Sequence, residues 1–180
     1  MKRALFGVAM GVAMVAASAN AQTAAPAAKP FSFGVSGGAT VPTGDFGDAY
    51  KTGYNISALG EYRGPAWPVA VRLEAQFQHF GADGVADASI KSFGGLASVV
   101  YYVPSKGLVK PYVTGGVGFF HLTTDNGSVS DSQNKFGYDL GLGFNFQLTG
   151  FSTFVEGNWQ GIQTEGSAAK MFPIRVGVRF

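Results

Sequence analysis

From Phe136 the even positions Phe136, Tyr138, Leu140, Leu142, Phe144, Phe146 and Leu148 are apolar, and the odd positions between them, Gly137, Asp139, Gly141, Gly143, Asn145 and Gln147, are small or polar. A 180° repeat of this kind describes a strand, and no helix of 3.6 residues per turn satisfies it. The last residues repeat it, with Phe172, Ile174, Val176, Val178 and Phe180 set against Pro173, Arg175, Gly177 and Arg179. Val69, Val71, Leu73, Ala75 and Phe77 alternate in the same way with Ala70, Arg72, Glu74 and Gln76. Weaker versions run over Phe31 to Val41, Tyr54 to Arg63 and Phe151 to Gln160. Ser92 to Val103 and Pro111 to Leu122 are strand-like but apolar on both sides, so the pattern assigns them no facing.

Eight segments of about ten residues result, and their connections alternate in length. Long polar connections are expected over Pro42 to Gly53, Gly81 to Ser89, Thr123 to Asn134 and Gly161 to Lys170; short ones lie at Gly64 to Trp67, Pro104 to Lys110 and Thr149-Gly150. Long loops at one end and tight turns at the other describe an antiparallel up-and-down meander. Ten residues is also the length of a tilted strand that crosses a bilayer, longer than the five or six usual in soluble sheets.

The first residues follow a different pattern. Met1-Lys2-Arg3 is basic, Ala4 to Ala17 is apolar and uncharged, and Ala19-Asn20-Ala21 offers small residues at a cleavage site. This is the layout of an export signal over residues 1–21, cleaved before Gln22. An apolar run of roughly 14 residues is too short to anchor in a bilayer as a helix. Residues 22–30, mostly Ala, Thr and Pro, are expected to form a disordered leader, which leaves residues 31–180 as one domain.

Composition narrows the function. The 180 residues include 27 Gly and 16 Phe, with no Cys, and only 13% are charged. Without cysteine there is no disulfide frame and no thiolate metal site or nucleophile. Basic residues number 13 against 11 acidic ones, and Lys2 and Arg3 belong to the expected signal, so the mature chain is formally neutral. A nucleic-acid binder would need a net basic stripe.

Alternation alone does not say which face is the interior, because soluble and membrane barrels share it. Size decides. The lumen of an eight-stranded barrel is just wide enough for side chains to fill, and the bulky rings and branched chains of the apolar set would overfill it. The opposite set suits a narrow interior closed by hydrogen bonds and ion pairs. An inside-out barrel follows, with lipid around the apolar face. Lumen candidates are Glu61, Glu74, Asp139 and Glu156 against Arg63, Arg72, Lys135, Arg175 and Arg179, with Arg72, Glu74, Glu156 and Arg175 expected at the centre. Nearly balanced charges in a dry lumen should pair and plug it, since an unpaired buried charge is costly. Space beside Gly137, Gly141 and Gly143 is where a small solute could still pass. Two aromatic belts are expected at the strand ends: Phe33, Tyr62, Trp67, Tyr101, Tyr112, Phe151 and Phe180 on the turn side, and Tyr54, Phe77, Phe120, Phe136, Tyr138 and Trp159 on the loop side.

The alternating C-terminal segment with Ile174, Val176, Val178 and a final Phe180 resembles the terminal strand signal of bacterial outer-membrane barrels. Val41-Pro42-Thr43-Gly44-Asp45-Phe46, then Gly53-Tyr54, and the stretch from Lys110 to Phe119 resemble the small outer-membrane β-barrel family of OmpA-like and OmpX-like proteins. The resemblance implies an all-β, eight-stranded antiparallel transmembrane barrel in the outer membrane, surrounded by lipid and lipopolysaccharide. It further implies passage through the periplasm with chaperones and insertion by the barrel-assembly machinery, with Ile174, Val176, Val178 and Phe180 as the insertion signal. It does not imply one activity: members serve as envelope-stabilising proteins, adhesins, resistance factors or narrow pores.

Some such barrels are enzymes, so the catalytic candidates matter. The only histidines, His79 and His121, lie near strand ends on the loop side, and neither has a serine two residues later, as the lipid A deacylase family would require. They are expected to be interfacial side chains with a polar tip. Asp45, Asp48, Asp83, Asp87, Asp125 and Asp131 raise the idea of a bridging cation, but their spacing is not that of an EF-hand loop and loop Asp residues commonly form turns. Gly115-Gly116-Val117-Gly118 is no phosphate loop, because no helix follows. No cofactor, metal or nucleic-acid partner is expected. The sequence favours a non-enzymatic structural or interaction barrel. A narrow porin or channel for small solutes is the alternative, and a secreted soluble ligand-binding barrel is a weaker third.

Overall fold

The computed structural model describes residues 30–65, 67–82, 88–125, 130–164 and 167–180. The expected signal (1–21) and nearly all of the expected leader (22–30) lie outside them, as do Asp83 and Asp87. Eight strands follow in chain order: β1 (Phe31–Thr43), β2 (Gly53–Tyr62), β3 (Val69–Gly81), β4 (Ser89–Tyr102), β5 (Val109–Asp125), β6 (Ser130–Gln147), β7 (Ser152–Thr164) and β8 (Ser167–Arg179), with one short helix, α1 (Asp45–Ala49), after β1. Each strand pairs antiparallel with its sequence neighbour, and β1 pairs with β8, so the sheet is a closed up-and-down barrel. Phe33 and Phe180 complete the seam by exchanging backbone hydrogen bonds of 3.1 and 2.8 Å. Closure leaves no strand edge unpaired, which is what a wall standing in hydrocarbon requires.

The bulky apolar set faces outward. Leu142 is 67% exposed and Phe144 50%, whereas Arg72 and Glu156 are 2% and 1% exposed on the inner side. Along β8, Ile174 and Val176 point out, as does Phe180 just past its end, while Arg175 and Arg179 point in. The two segments without a legible facing now have one. Ser92, Leu96, Ser98, Val100 and Tyr102 of β4 and Tyr112, Thr114 and Phe120 of β5 are interior, and Phe93, Val99, Tyr101, Val113, Val117 and Phe119 are exterior.

This facing corrects the expected belts at two positions. Tyr112 and Phe120 are buried in the lumen, because β5 carries large residues on both sides and the interior has room for rings opposite its glycines. A Cβ placed on Gly137 would come within 2.6 Å of the Phe120 ring, and one on Gly143 within 2.4 Å of Tyr112. Gly141 faces Asn158 in the same way, at 2.5 Å. The space expected beside these three glycines is therefore where Phe120, Asn158 and Tyr112 lie.

Strand lengths also depart from the expectation. Pairing of β5 with β6 continues through Thr123↔Ser132 to Asp125↔Ser130, and β7 with β8 through Gly161↔Lys170 to Thr164↔Ser167. Two of the four expected long loops are thus mostly strand that extends past the apolar band. Polar composition marked them as loops, but a hairpin in water needs no apolar face to keep its backbone paired. Thr123 Oγ1 and Ser132 Oγ lie 3.2 Å apart across this extension. In the connection between β1 and β2, the chain turns at Gly44 (φ 60°) into α1.

If lipid wets the exterior, a charge near the middle of the outward band of β6 is costly and one beyond its end is not. Leu142→Arg should lower unfolding free energy in lipid vesicles by about 2–4 kcal/mol, and Ser132→Arg by about 0–1 kcal/mol. Urea titration followed by tryptophan fluorescence measures both; equal effects would place water outside the barrel.

Candidate functional site

Inward positions on neighbouring strands stack polar side chains along the lumen. Register pairs Glu61 of β2 with Arg72 of β3, and Glu156 of β7 with Arg175 of β8. These adjacent pairs are joined across the bore. Arg72 donates from Nε to Glu61 Oε2 at 3.1 Å and from Nη1 to Glu156 Oε2 at 2.7 Å. Arg175 donates to Glu74, to Glu156 and, at 3.2 Å, to Asn158 Oδ1. Arg72, Glu74, Glu156 and Arg175 therefore form one connected cluster, each of them nearly free of solvent.

Further residues extend the cluster towards the turn end. Tyr102 donates its hydroxyl proton to Glu61 Oε1 at 2.6 Å and accepts from Arg179, whose Nη1 also lies 3.4 Å from Glu61 Oε1. Tyr112 donates to Glu156 Oε2 at 2.7 Å, and its ring lies 5.5 Å from the Arg72 guanidinium carbon. Tyr112 brings a donor to a carboxylate and its ring face to the Arg72 guanidinium, and Tyr102 meets Glu61 and Arg179 through its hydroxyl, so the two tyrosines satisfy buried charges of both signs. The sequence did not single them out for the lumen. Their signal was faint: each sits on a strand apolar on both sides, and only for Tyr112 does a glycine of the partner strand, Gly143, mark the inner face.

Asp139 lies at the margin of the cluster, accepting from Asn158 Nδ2 at 2.7 Å. Towards the loop end the charges give way to amides: Gln78 donates to Gln160 at 2.8 Å, Gln160 donates to Gln76 at 3.1 Å, and Asn55 donates to Thr40 at 2.8 Å. Arg63 is not brought into the network. It lies exposed past the end of β2, with its guanidinium carbon 5.3 Å from the Tyr102 ring centroid. Lys135 faces the loop-end mouth of the barrel.

Two apolar layers bracket the polar one. Near the turns, Leu59, Ala70, Val100 and Phe154 pack with Tyr102 and Tyr112. Near the loops, Phe80, Leu96, Phe120, Ile162 and Met171 form a second layer, against which Phe46 and Tyr50 of the α1 segment rest. Burial pushes the Tyr50 hydroxyl above its ordinary pKa.

The remaining candidates lie elsewhere. His79 stacks on Tyr54 with ring centroids 5.4 Å apart, and His121 Nδ1 is 2.9 Å from Asn134 Oδ1; both histidines sit on outward positions near the loop end. Asp45 and Asp48 lie on α1. Among the described residues, no group of three or more His, Asp or Glu side chains is placed to hold a metal ion.

Residues 10–180 match the family model described as the outer membrane protein beta-barrel domain. No curated protein sequence matches. Among solved structures, neisserial surface protein A (NspA) aligns with a TM-score of 0.68 at 16% identity, over 84% of this chain and 96% of that one. The outer membrane enzyme PagL aligns at 0.57 with 17% identity, over 83% and 98%. Ail, the attachment invasion locus protein of Yersinia pestis, aligns at 0.55 with 16% identity, over 83% and 97%. At such identities the structural likeness is one of fold, and the family rests on the match over nearly the whole chain. This protein belongs to the outer membrane protein beta-barrel domain family, and the outer membrane is its location.

Proposed function

We propose that this chain is a non-enzymatic barrel whose lumen is plugged by its own side chains and whose loop end serves envelope structure or surface interaction. One observation carries this reading: Glu156 is bound by Arg72 from across the bore and by Arg175 from the neighbouring strand, with Glu61 and Glu74 as the further carboxylates of the two arginines. An ion path would have to part charges that have no water to replace their partners, at a cost of several kcal/mol. Outer-membrane lipid and lipopolysaccharide are the surroundings this reading assigns to the apolar exterior. NspA is a surface protein and Ail an attachment protein by name, which supports a role at the loop end.

PagL is an enzyme on the same fold, so fold alone does not decide catalysis. In this chain His79 is stacked on an aromatic ring and His121 is paired with an amide. Among the described residues neither has the serine or carboxylate partner that would make it a general base, which supports the non-enzymatic reading.

A narrow channel for small solutes is the second reading. Ser92, Thr114, Asn145 and Asp139 each carry a buried oxygen without a hydrogen-bond partner among the described residues, and a file of water or small polar solute would use such acceptors. The reading also includes delivery: a signal over residues 1–21, a leader over 22–30, escort by periplasmic chaperones, and insertion by the barrel-assembly machinery through Ile174, Val176, Val178 and Phe180.

Three measurements test these assignments. In planar bilayers the purified protein should give no stable large conductance, whereas Arg72→Ala, Glu156→Ala and Arg175→Ala combined should open one; a steady large conductance from the unaltered protein refutes the plug. Glu156→Gln leaves two buried guanidiniums short of their shared carboxylate and should cost about 3–5 kcal/mol, read from the denaturant midpoint and the heat-modifiable gel shift. N-terminal sequencing of protein from outer membranes should begin at Gln22, and retention of Met1 would remove the export signal from the account.

A further inference from the structure

The loop-end mouth holds a cavity of about 330 Å³. Its floor is Phe80, Ile162 and Met171, all nearly free of solvent, and its walls include Ile90, Leu122 and Ala169. Phe46 and Tyr50 of the α1 segment close one side. Phe46 meets Phe80 edge to face at 5.4 Å, and its ring lies tilted against that of Tyr50 at 4.8 Å. The segment is tied to the wall by the Tyr50↔Ala82 bridge and by the Lys51 N–H donating to the Gly81 carbonyl at 3.0 Å.

Two features set this place apart from the rest of the lumen. It is apolar, although the next inward side chains below it, Gln78 and Gln160, are amides bonded to each other. It is also hollow. An apolar layer that served only to close the bore would be packed flush, as densely as other protein interiors, yet this one leaves a basin of about 330 Å³ above its floor, open towards the loops. Water gains little in a space so lined. An apolar body gains by displacing it. Most of the polar side chains stand on one flank, with Ser92 of β4, Thr124 of β5, and Gln133 and Lys135 of β6 in the lining, and Asp45 of α1 stands on the opposite side. Volume, an apolar floor and a few polar groups around it are the attributes of a small-molecule site.

We infer that the loop-end basin over Phe80, Ile162 and Met171 binds a small amphiphile from outside the cell: a compact ring-bearing body with a single hydrogen-bonding head. The body lies between the Ile162–Met171 floor and the Phe46–Tyr50 wall, and the head meets the Ser92, Thr124 and Gln133 flank. A molecule on the scale of a naphthol fits the space. The site stands apart from the charge cluster deeper in the bore, so it is independent of whether that cluster blocks ions.

Met171 supplies the readout. The other three methionines are Met1, Met10 and Met14, so in protein labelled at methionine methyl carbons the floor signal is identified by its loss in Met171→Leu. In lipid nanodiscs, adding 1-naphthol should shift the Met171 methyl signal saturably. Ala169→Trp, which fills the basin from β8, should weaken the apparent affinity at least ten-fold. Ala49→Trp fills it from exposed α1 and should do the same without touching the barrel wall. Ala97→Trp on the outward face should leave the titration unchanged. Folding of each variant is checked by heat-modifiable gel mobility. No shift, a shift that rises linearly with probe as partition into lipid would, or full affinity in a folded Ala49→Trp protein would each overturn the inference.

Discussion

Hydrocarbon offers a backbone no hydrogen bonds, and most of this molecule follows from that single deprivation. Every N–H and C=O of the wall has to be paired within the sheet, and the sheet has to meet itself, which β1 and β8 achieve. Once the wall is closed and its outside is lipid, the usual sorting of side chains inverts. Phe144 and Leu142 need no core because the solvent is itself apolar, and the polar face is confined to a bore too narrow to be left empty.

Inside that bore, charge has to be matched with charge. Glu156 receives both Arg72 and Arg175 together with the Tyr112 hydroxyl, and Glu61 receives Arg72, Arg179 and the Tyr102 hydroxyl. A buried pair is weak ground for stability in itself, since apolar residues of like volume often do as well. What such a cluster supplies is a penalty for error: a strand shifted by one residue would turn a guanidinium into lipid. The cluster joins β2, β3, β7 and β8, so it fixes the register of strands on opposite sides of the ring.

The inversion was legible in the sequence because β6 from Phe136 and β8 from Phe172 alternate bulky apolar residues with small, polar or charged ones. Charge balance and strand position also pointed to Arg72, Glu74, Glu156 and Arg175 as the residues the structure brings together. Facing was illegible on β4 and β5, where a lumen that accepts Val100, Tyr102, Tyr112 and Phe120 makes both sides of a strand apolar. Tyr112 and Phe120 are accommodated by partner-strand glycines, and that is a relation between strands that one-dimensional periodicity does not carry. Arg63 was grouped with the lumen arginines because it continues their alternation, but it lies past the last paired position of β2 and so stands beyond the wall. Polar composition concealed the long β5–β6 hairpin, because outside the membrane a strand need show no apolar side.

The seam between Phe33 and Phe180 has a kinetic consequence. It joins the first strand to the last, so the contacts that complete the ring are those most distant along the chain, and they are among the slowest to form. Until they do, an intermediate would present unpaired strand edges and greasy side chains to water, conditions that favour aggregation. Such a polypeptide has reason to remain unfolded until it reaches a bilayer, and a stop codon shortly before the end would forfeit the latch rather than trim an ornament.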